Sequence, residues 1–279
     1  MGKSIAPTGK ELPIKRLLTA AIALPLLILL ILKGGSVLFA LFIAMVAGLG
    51  SAEFYRMTLP ERRWEGTAIA FLGALITILP LTCDHSLTMP ALTLPVLLAA
   101  LALLFRFHDI RQAAQEWALL VAGIFYIPLL LAQLVWLRSE PYGISWIFLL
   151  LVIVMVGDSA AYYVGSTFGR RKLYPKVSPN KSVEGAIGGL VGSVAGAFVV
   201  RATFFPQLGV TDVLAVALTL AVLGQLGDLF ESLIKRSCGV KDSGMLVPGH
   251  GGMLDRLDSI LFASPVAYWY AHFLFPLVR

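Results

Sequence analysis

The chain has 279 residues, of which 58% are hydrophobic and 14% charged, with a formal net charge of +6. Soluble globular domains carry roughly 45 to 50% apolar residues, so a mean hydropathy of +0.85 excludes that class and predicts an all-α, polytopic membrane protein. The basic balance does not point to nucleic acid, because no basic stripe alternates with aromatics on a soluble stretch; membrane topology accounts for it.

In chain order, residues 1–16 read as a basic cytosolic tail. Apolar runs follow near residues 17–32, 36–52, 67–81, 91–105, 117–137, 144–164, 186–200, 211–227 and 257–275, which predicts about nine transmembrane helices. The first follows Lys15 and Arg16 as a signal peptide would, but no small-residue cleavage site succeeds it, so it reads as an uncleaved helix. With the N-terminus inside, only Lys33, Arg138, Arg201 and Arg279 of the 22 Lys and Arg fall in outer segments. That bias places the loops around Arg170 and Lys241 in the cytosol, and it puts Cys83 and Cys238 on opposite sides, where they do not pair.

Residues 17–143 read as plain hydrophobic helices, whereas 144–279 hold two long polar loops and the intramembrane acids, and so form the catalytic region. Gly185, Gly189 and Ser193 make one small-residue ridge, Gly188, Gly192 and Gly196 the next, and Gly157, Ala161 and Gly165 a third. Such ridges let helix backbones approach closely in lipid.

Asp158 interrupts the apolar stretch "WIFLLLVIVMVGDSAAYYVG", at a cost of about 2.5 to 3.5 kcal/mol near mid-helix, which marks a partnered or functional residue. In "GQLGDLFESLIKR", Asp228, Glu231, Ser232 and Lys235 share one helix face. In "VPGHGGMLDRLDS", glycines 249, 251 and 252 free backbone N–H groups for an anion ahead of a helix carrying Asp255, Asp258 and Ser259. Asp228 and Asp255 form an oxygen-rich corner suited to magnesium. Lys181 and Glu184 of "SPNKSVEG", with Lys235, Arg236, Lys241 and Arg256, complete a site that combines carboxylates with cations for phosphate. Zinc and P-loop patterns are absent. The combination points to phosphoryl or nucleotidyl transfer at a membrane surface.

The series Ser232-x-x-Lys235-Arg236, Lys241-Asp242, Pro248-Gly249-His250-Gly251-Gly252 and Asp255-Arg256-x-Asp258 closely resembles the signature of the CDP-diacylglycerol synthases, or phosphatidate cytidylyltransferases. "GDLFES", "GDSAAYYVG" and "SPNKSVEGAIGG" resemble that family's other motifs, and the likeness covers residues 144–265. Ser182 stands where the family more often has threonine. The resemblance implies that CTP and phosphatidic acid react to CDP-diacylglycerol and pyrophosphate with magnesium. It also implies an all-helical membrane fold, a homodimer, and a site facing the cytosol from a bacterial inner membrane.

On residues and resemblance together, the expected catalytic set is Asp228, Asp255, Lys235, Arg236, Lys241, Asp242, Arg256 and Asp258. Asp158, Lys181, Ser182, Glu184, Ser232, His250, Gly251 and Gly252 are expected to bind substrate, and Asp228 and Asp255 to hold the metal. A second cation beside magnesium, potassium for instance, is left open. The alternatives are a CTP-dependent lipid or polyprenol kinase and an ion-coupled transporter. Against the transporter, the polar residues gather at one membrane face rather than at the midplane of two repeated halves.

Overall fold

A backbone solvated by lipid must satisfy its N–H and C=O groups within each segment, so apolar runs become helices. The computed structural model describes residues 11–81, 87–107, 109–246 and 251–275, and each of the nine apolar runs falls on a helical segment. In order these are α1 (Glu11–Lys33), α2 (Gly35–Thr58), α3 (Arg63–Ala74), α4 (Thr88–Arg106), α5 (Ala113–Ile124), α6 (Leu130–Ser139), α7 (Gly143–Phe168), α8 (Val183–Thr203), α9 (Val210–Ser237) and α10 (Asp258–Trp269). A π-turn at Phe125–Leu129, containing Pro128, joins α5 to α6; proline cannot donate to the helical ladder, and the bulge absorbs the missing bond.

Among the described residues, six helices are long and apolar enough to cross a bilayer: Gly35–Thr58, Met89–Arg106, Ala113–Ser139, Gly143–Phe168, Val183–Thr203 and Val210–Ser237. Trp64–Leu79 is apolar but shorter. The third run tightens into a 3₁₀ helix at Leu75–Leu81, and α10 is a 12-residue helix prolonged by a π-turn at Tyr270–Leu274. Among the described residues, length and composition thus support six membrane-crossing segments, and the count of nine is not shown. The all-α expectation also needs one amendment. Between α7 and α8, β1 (Lys172–Tyr174) and β2 (Ser178–Ser182) pair antiparallel, with Lys172 opposite Ser182 and Tyr174 opposite Ser178. Val177 N–H closes the turn onto Tyr174 O at 3.2 Å.

The tightest packing is where the small residues predicted it. Ser193 Oγ of α8 donates to Ile153 O of α7 at 2.8 Å. A Cβ added at Gly188 would fall 2.6 Å from Val164 Cβ, and one at Gly192 would fall 2.5 Å from Ala160 Cβ. Helix α9 lies against α8 and α10, and α10 against α6. Helix α2, from the first half of the chain, runs beneath the segment Leu254–Leu257, where Gly50 faces the side chains of Leu254 and Leu257.

Gly192→Val should wedge α7 and α8 apart at an overpacking cost of about 1 to 3 kcal/mol, read as a lower Tm in detergent. Val191→Leu, on an exposed face of the same helix, should leave Tm unchanged; equal Tm values for the two variants would contradict the close contact.

Candidate active site

The C-terminal ends of α7 and α9 and the N-terminal ends of α8 and α10 meet at one end of the bundle, and the hydrophilic residues singled out by their spacing collect there. Helix α9 presents its polar face as the spacing requires, with Glu231 fully buried and Lys235 nearly so. Asp228 forms an ion pair with Lys181, which β2 delivers from the hairpin. Lys235 Nζ lies 2.6 Å from Asp255 Oδ1 and 3.2 Å from Glu231 Oε2. The latter contact is an ion pair without a well-directed hydrogen bond, since neither Glu231 oxygen has a hydrogen-bond partner.

Asp255 is the most heavily used of these acids. Its Oδ2 accepts from Gly252 N–H at 2.8 Å, from Ser243 N–H at 3.0 Å and from Ser243 Oγ at 3.0 Å. Partial burial would raise its pKa, but Lys235 and the Gly252 and Ser243 N–H groups outweigh that and hold it below the ordinary carboxylate value. Gly251 adopts φ +86°, a left-handed conformation that glycine accepts readily, and a Cβ there would meet Asp255 Oδ2 at 2.7 Å.

The acids expected to share one metal stand in two linked groups. Asp228 is paired with Lys181 and Asp255 with Lys235. Asp158 and Asp258 are close enough to Asp228 to feel its charge, and Asp258 also acts on Glu231, so it links the two groups. Among the described residues no three His, Cys, Asp or Glu side chains stand as a ready-made metal cage. Asp158 also lines a small cavity with Ser193, Gln225 and Ser259.

The remaining predicted residues divide between scaffold and surface. Ser182 caps α8, accepting Gly185 N–H at 3.1 Å. Glu184 takes the backbone N–H of Arg170 at 3.0 Å and that of Arg171 at 3.2 Å, so it closes the turn after α7. Arg236 donates from Nε to Val177 O at 3.4 Å and from Nη1 to Val240 O at 3.0 Å, tying the hairpin to the end of α9. Lys241, Asp242 and Arg256 are exposed, and Ser232 is partly so. His250 lies outside the described residues.

The sequence reading missed one acid, Glu53 of α2, whose Oε2 accepts from Leu254 N–H at 2.9 Å and from Ser243 Oγ at 3.0 Å. The signal was available, because Glu53 is the sole acid in α2, and an acid in an apolar helix is a flag. Ending the apolar run at residue 52 hid it.

The sequence pattern of the Cytidylyltransferase family matches residues 14–274. A protein of Staphylococcus saprophyticus named phosphatidate cytidylyltransferase is 36% identical over 254 residues, covering 90% of this chain and 96% of its own length. Another of that name from Staphylococcus epidermidis is 34% identical with the same coverage. One from Bacillus subtilis is 41% identical over 155 residues, 55% of this chain and 58% of its own. Matched from α1 to the π-turn after α10, with relatives aligned along nearly their whole length, the chain belongs to the cytidylyltransferase family and is a nucleotidyltransferase.

Proposed function

We propose that the protein joins CTP to phosphatidic acid, giving CDP-diacylglycerol and pyrophosphate. The observation that carries the reading is the pair of lysine–aspartate contacts, Lys181–Asp228 and Lys235–Asp255, at one end of a bundle built to stand in lipid, with Asp255 bonded to the Gly252 N–H. A phosphatidate oxygen forms the new bond to the α-phosphorus of CTP, and the bond from that phosphorus to the oxygen leading to the β-phosphate breaks. Pyrophosphate leaves with the electron pair. Two like unit charges 4 Å apart repel by about 4 kcal/mol at an effective dielectric of 20, so the site's main task is to hold and neutralise phosphates. Lys181 and Lys235 pair with the acids, the charge of Arg256 reaches Asp158, and Arg236 and Lys241 are exposed.

Magnesium fits the donor chemistry of this end of the bundle. Asp158, Asp228, Glu231, Asp255 and Asp258 outnumber the lysines paired with them, and every donor they offer is a hard carboxylate oxygen. Asp228 and Asp255 are the proposed ligands, with Asp258 beside Asp228. The ion would supply charge neutralisation for the phosphates. The same reading has nine membrane-crossing segments, a homodimer, and a site open to the cytosol from the inner membrane; the positive-inside bias and the family resemblance support it.

Purified protein given CTP labelled in the cytidine and phosphatidic acid should yield a lipid-soluble labelled product and equimolar pyrophosphate. CDP release without labelled lipid would favour a CTP-dependent kinase, and neither product would end the enzyme reading.

For the metal, Asp228→Asn should remove nearly all magnesium-dependent turnover, and Asp255→Asn added to it should reduce the rate little further, because groups serving one transition state are non-additive. Two folded single mutants each keeping more than about a tenth of wild-type turnover, a loss under about 1.4 kcal/mol, would rule the shared site out.

Cysteines engineered at Arg170 and Lys241 should react with an impermeant maleimide only after cells are permeabilised. Labelling of intact cells at either position would reverse the orientation.

A further inference from the structure

Glu53 is 4% exposed in the last turns of α2, yet the bonds it makes are to no helix of the bundle. Its Oε2 accepts Leu254 N–H at 2.9 Å and Ser243 Oγ at 3.0 Å, one partner on each side of the glycine-rich stretch. Two glycines make room for the carboxylate. A Cβ on Gly244 would lie 2.5 Å from Glu53 Oε1, and one on Gly252 would lie 2.3 Å from Glu53 Oε2.

Asp255 holds the same two flanks from the other side, through Ser243 N–H at 3.0 Å and Gly252 N–H at 2.8 Å. The Ser243 hydroxyl stands 3.0 Å from both carboxylates, but it has one proton and donates to one of them at a time. Each acid therefore depends on its own backbone donor as well: Leu254 N–H for Glu53, Gly252 N–H for Asp255.

A helix-stabilising role makes a different pattern. Arg62 shows it, bonding Glu116 of α5 at 2.8 Å and the Arg106 carbonyl at the end of α4 at 2.8 Å. Glu53 instead spends its charge on a polar segment that precedes Asp255, Arg256 and Asp258. Charge-assisted bonds of this kind are about twice as strong as neutral ones, and losing their acceptor leaves buried donors unpaired.

We propose that Glu53 is a positioning residue for nucleotidyl transfer: its carboxylate fixes both flanks of the glycine-rich stretch and so sets where Gly251, Gly252 and the residues after them meet the substrate phosphates. The proposal rests on the cytidylyl-transfer reading of the site. It gives the first half of the chain a direct part in the reaction, through α2.

The test uses full-length protein in detergent micelles containing phosphatidic acid. Glu53→Met keeps the side chain's length and removes the acceptor; Glu53→Gln keeps one neutral acceptor. Initial rates against CTP concentration are measured with Tm and with hydrogen–deuterium exchange of peptides covering residues 243–254 and α9. Glu53→Met should lower kcat/KM for CTP by about tenfold or more, the cost of unpaired buried donors, while the Leu254 amide exchanges faster and α9 does not. Glu53→Gln, which trades the charge-assisted bonds for weaker neutral ones, should show smaller but measurable changes in both kcat/KM and Leu254 exchange. A Glu53→Met protein with wild-type kcat/KM, or one whose rate falls only as α9 exchange and Tm change in step, would overturn the proposal. If Glu53→Met does not fold, unchanged exchange at Leu254 in Glu53→Gln overturns it. Exchange needs no turnover, so a wild-type protein that makes no liponucleotide ends the functional reading while the clamp is judged separately.

Discussion

The ammonium of Lys235 sits between two carboxylates, 2.6 Å from Asp255 and 3.2 Å from Glu231, with little of it exposed. Removing one partner from a buried pair costs about 3 to 5 kcal/mol, because the remaining charge stays desolvated. The segment carrying Asp255 is thus locked to the last turns of α9. Its neighbours along the chain inherit that position: Arg256 and Asp258 stand where they do because Asp255 is held. The second oxygen of Asp255 then gathers Ser243 and Gly252 around itself, so a single ion pair links a membrane helix to the backbone on both sides of the glycine-rich stretch.

Helix packing in the apolar layer decides which acids can face one another. Gly157 and Ser193 bring α7 against α8, and Gln225 Nε2 of α9 donates to Ala186 O of α8 at 3.1 Å. On the other side, a Cβ at Gly227 would fall 2.5 Å from Asp258 O. Lipid gives little hydrophobic drive for helix association, so contact depends on this close fit. Small residues next to the acids, Gly157 before Asp158 and Gly227 before Asp228, therefore help to set the distances among Asp158, Asp228 and Asp258.

Much of this was readable before the structure. The apolar runs located the helices, the four-residue spacing of glycines located the α7–α8 contact, and the i, i+3, i+4, i+7 pattern placed Asp228, Glu231 and Lys235 on one face. What spacing does not encode is who pairs with whom across elements. Lys181 meets Asp228 and Lys235 meets Asp255 only because the hairpin and the loop fold back. Ser182 and Glu184 read as substrate groups from their motif, but the nearest hydrogen-bonding demand is local: a helix start and a turn with unsatisfied N–H groups. The sequence counted nine spans where six qualify by length and composition, because hydropathy runs do not record where a helix tightens, as at the 3₁₀ segment Leu75–Leu81, or how short it is, as at α10. Glu53 was hidden for a different reason, since its partners lie 190 and 201 residues away.

A glycine-rich segment is costly to order, as each residue fixed loses roughly 1 to 2 kcal/mol of backbone entropy, and glycine loses most. Such a segment can offer bare N–H groups to phosphate only if something other than its own side chains pins it. Here its flanks are pinned by carboxylates, Glu53 and Asp255, through donors that carry no charge of their own. Anionic anchors beside an anion site oppose the ligand unless a cation offsets them. Lys235 does this for Asp255, whereas Glu53 is bonded only by the neutral Leu254 N–H and Ser243 hydroxyl, so its charge has to be offset by the cations that hold the phosphates.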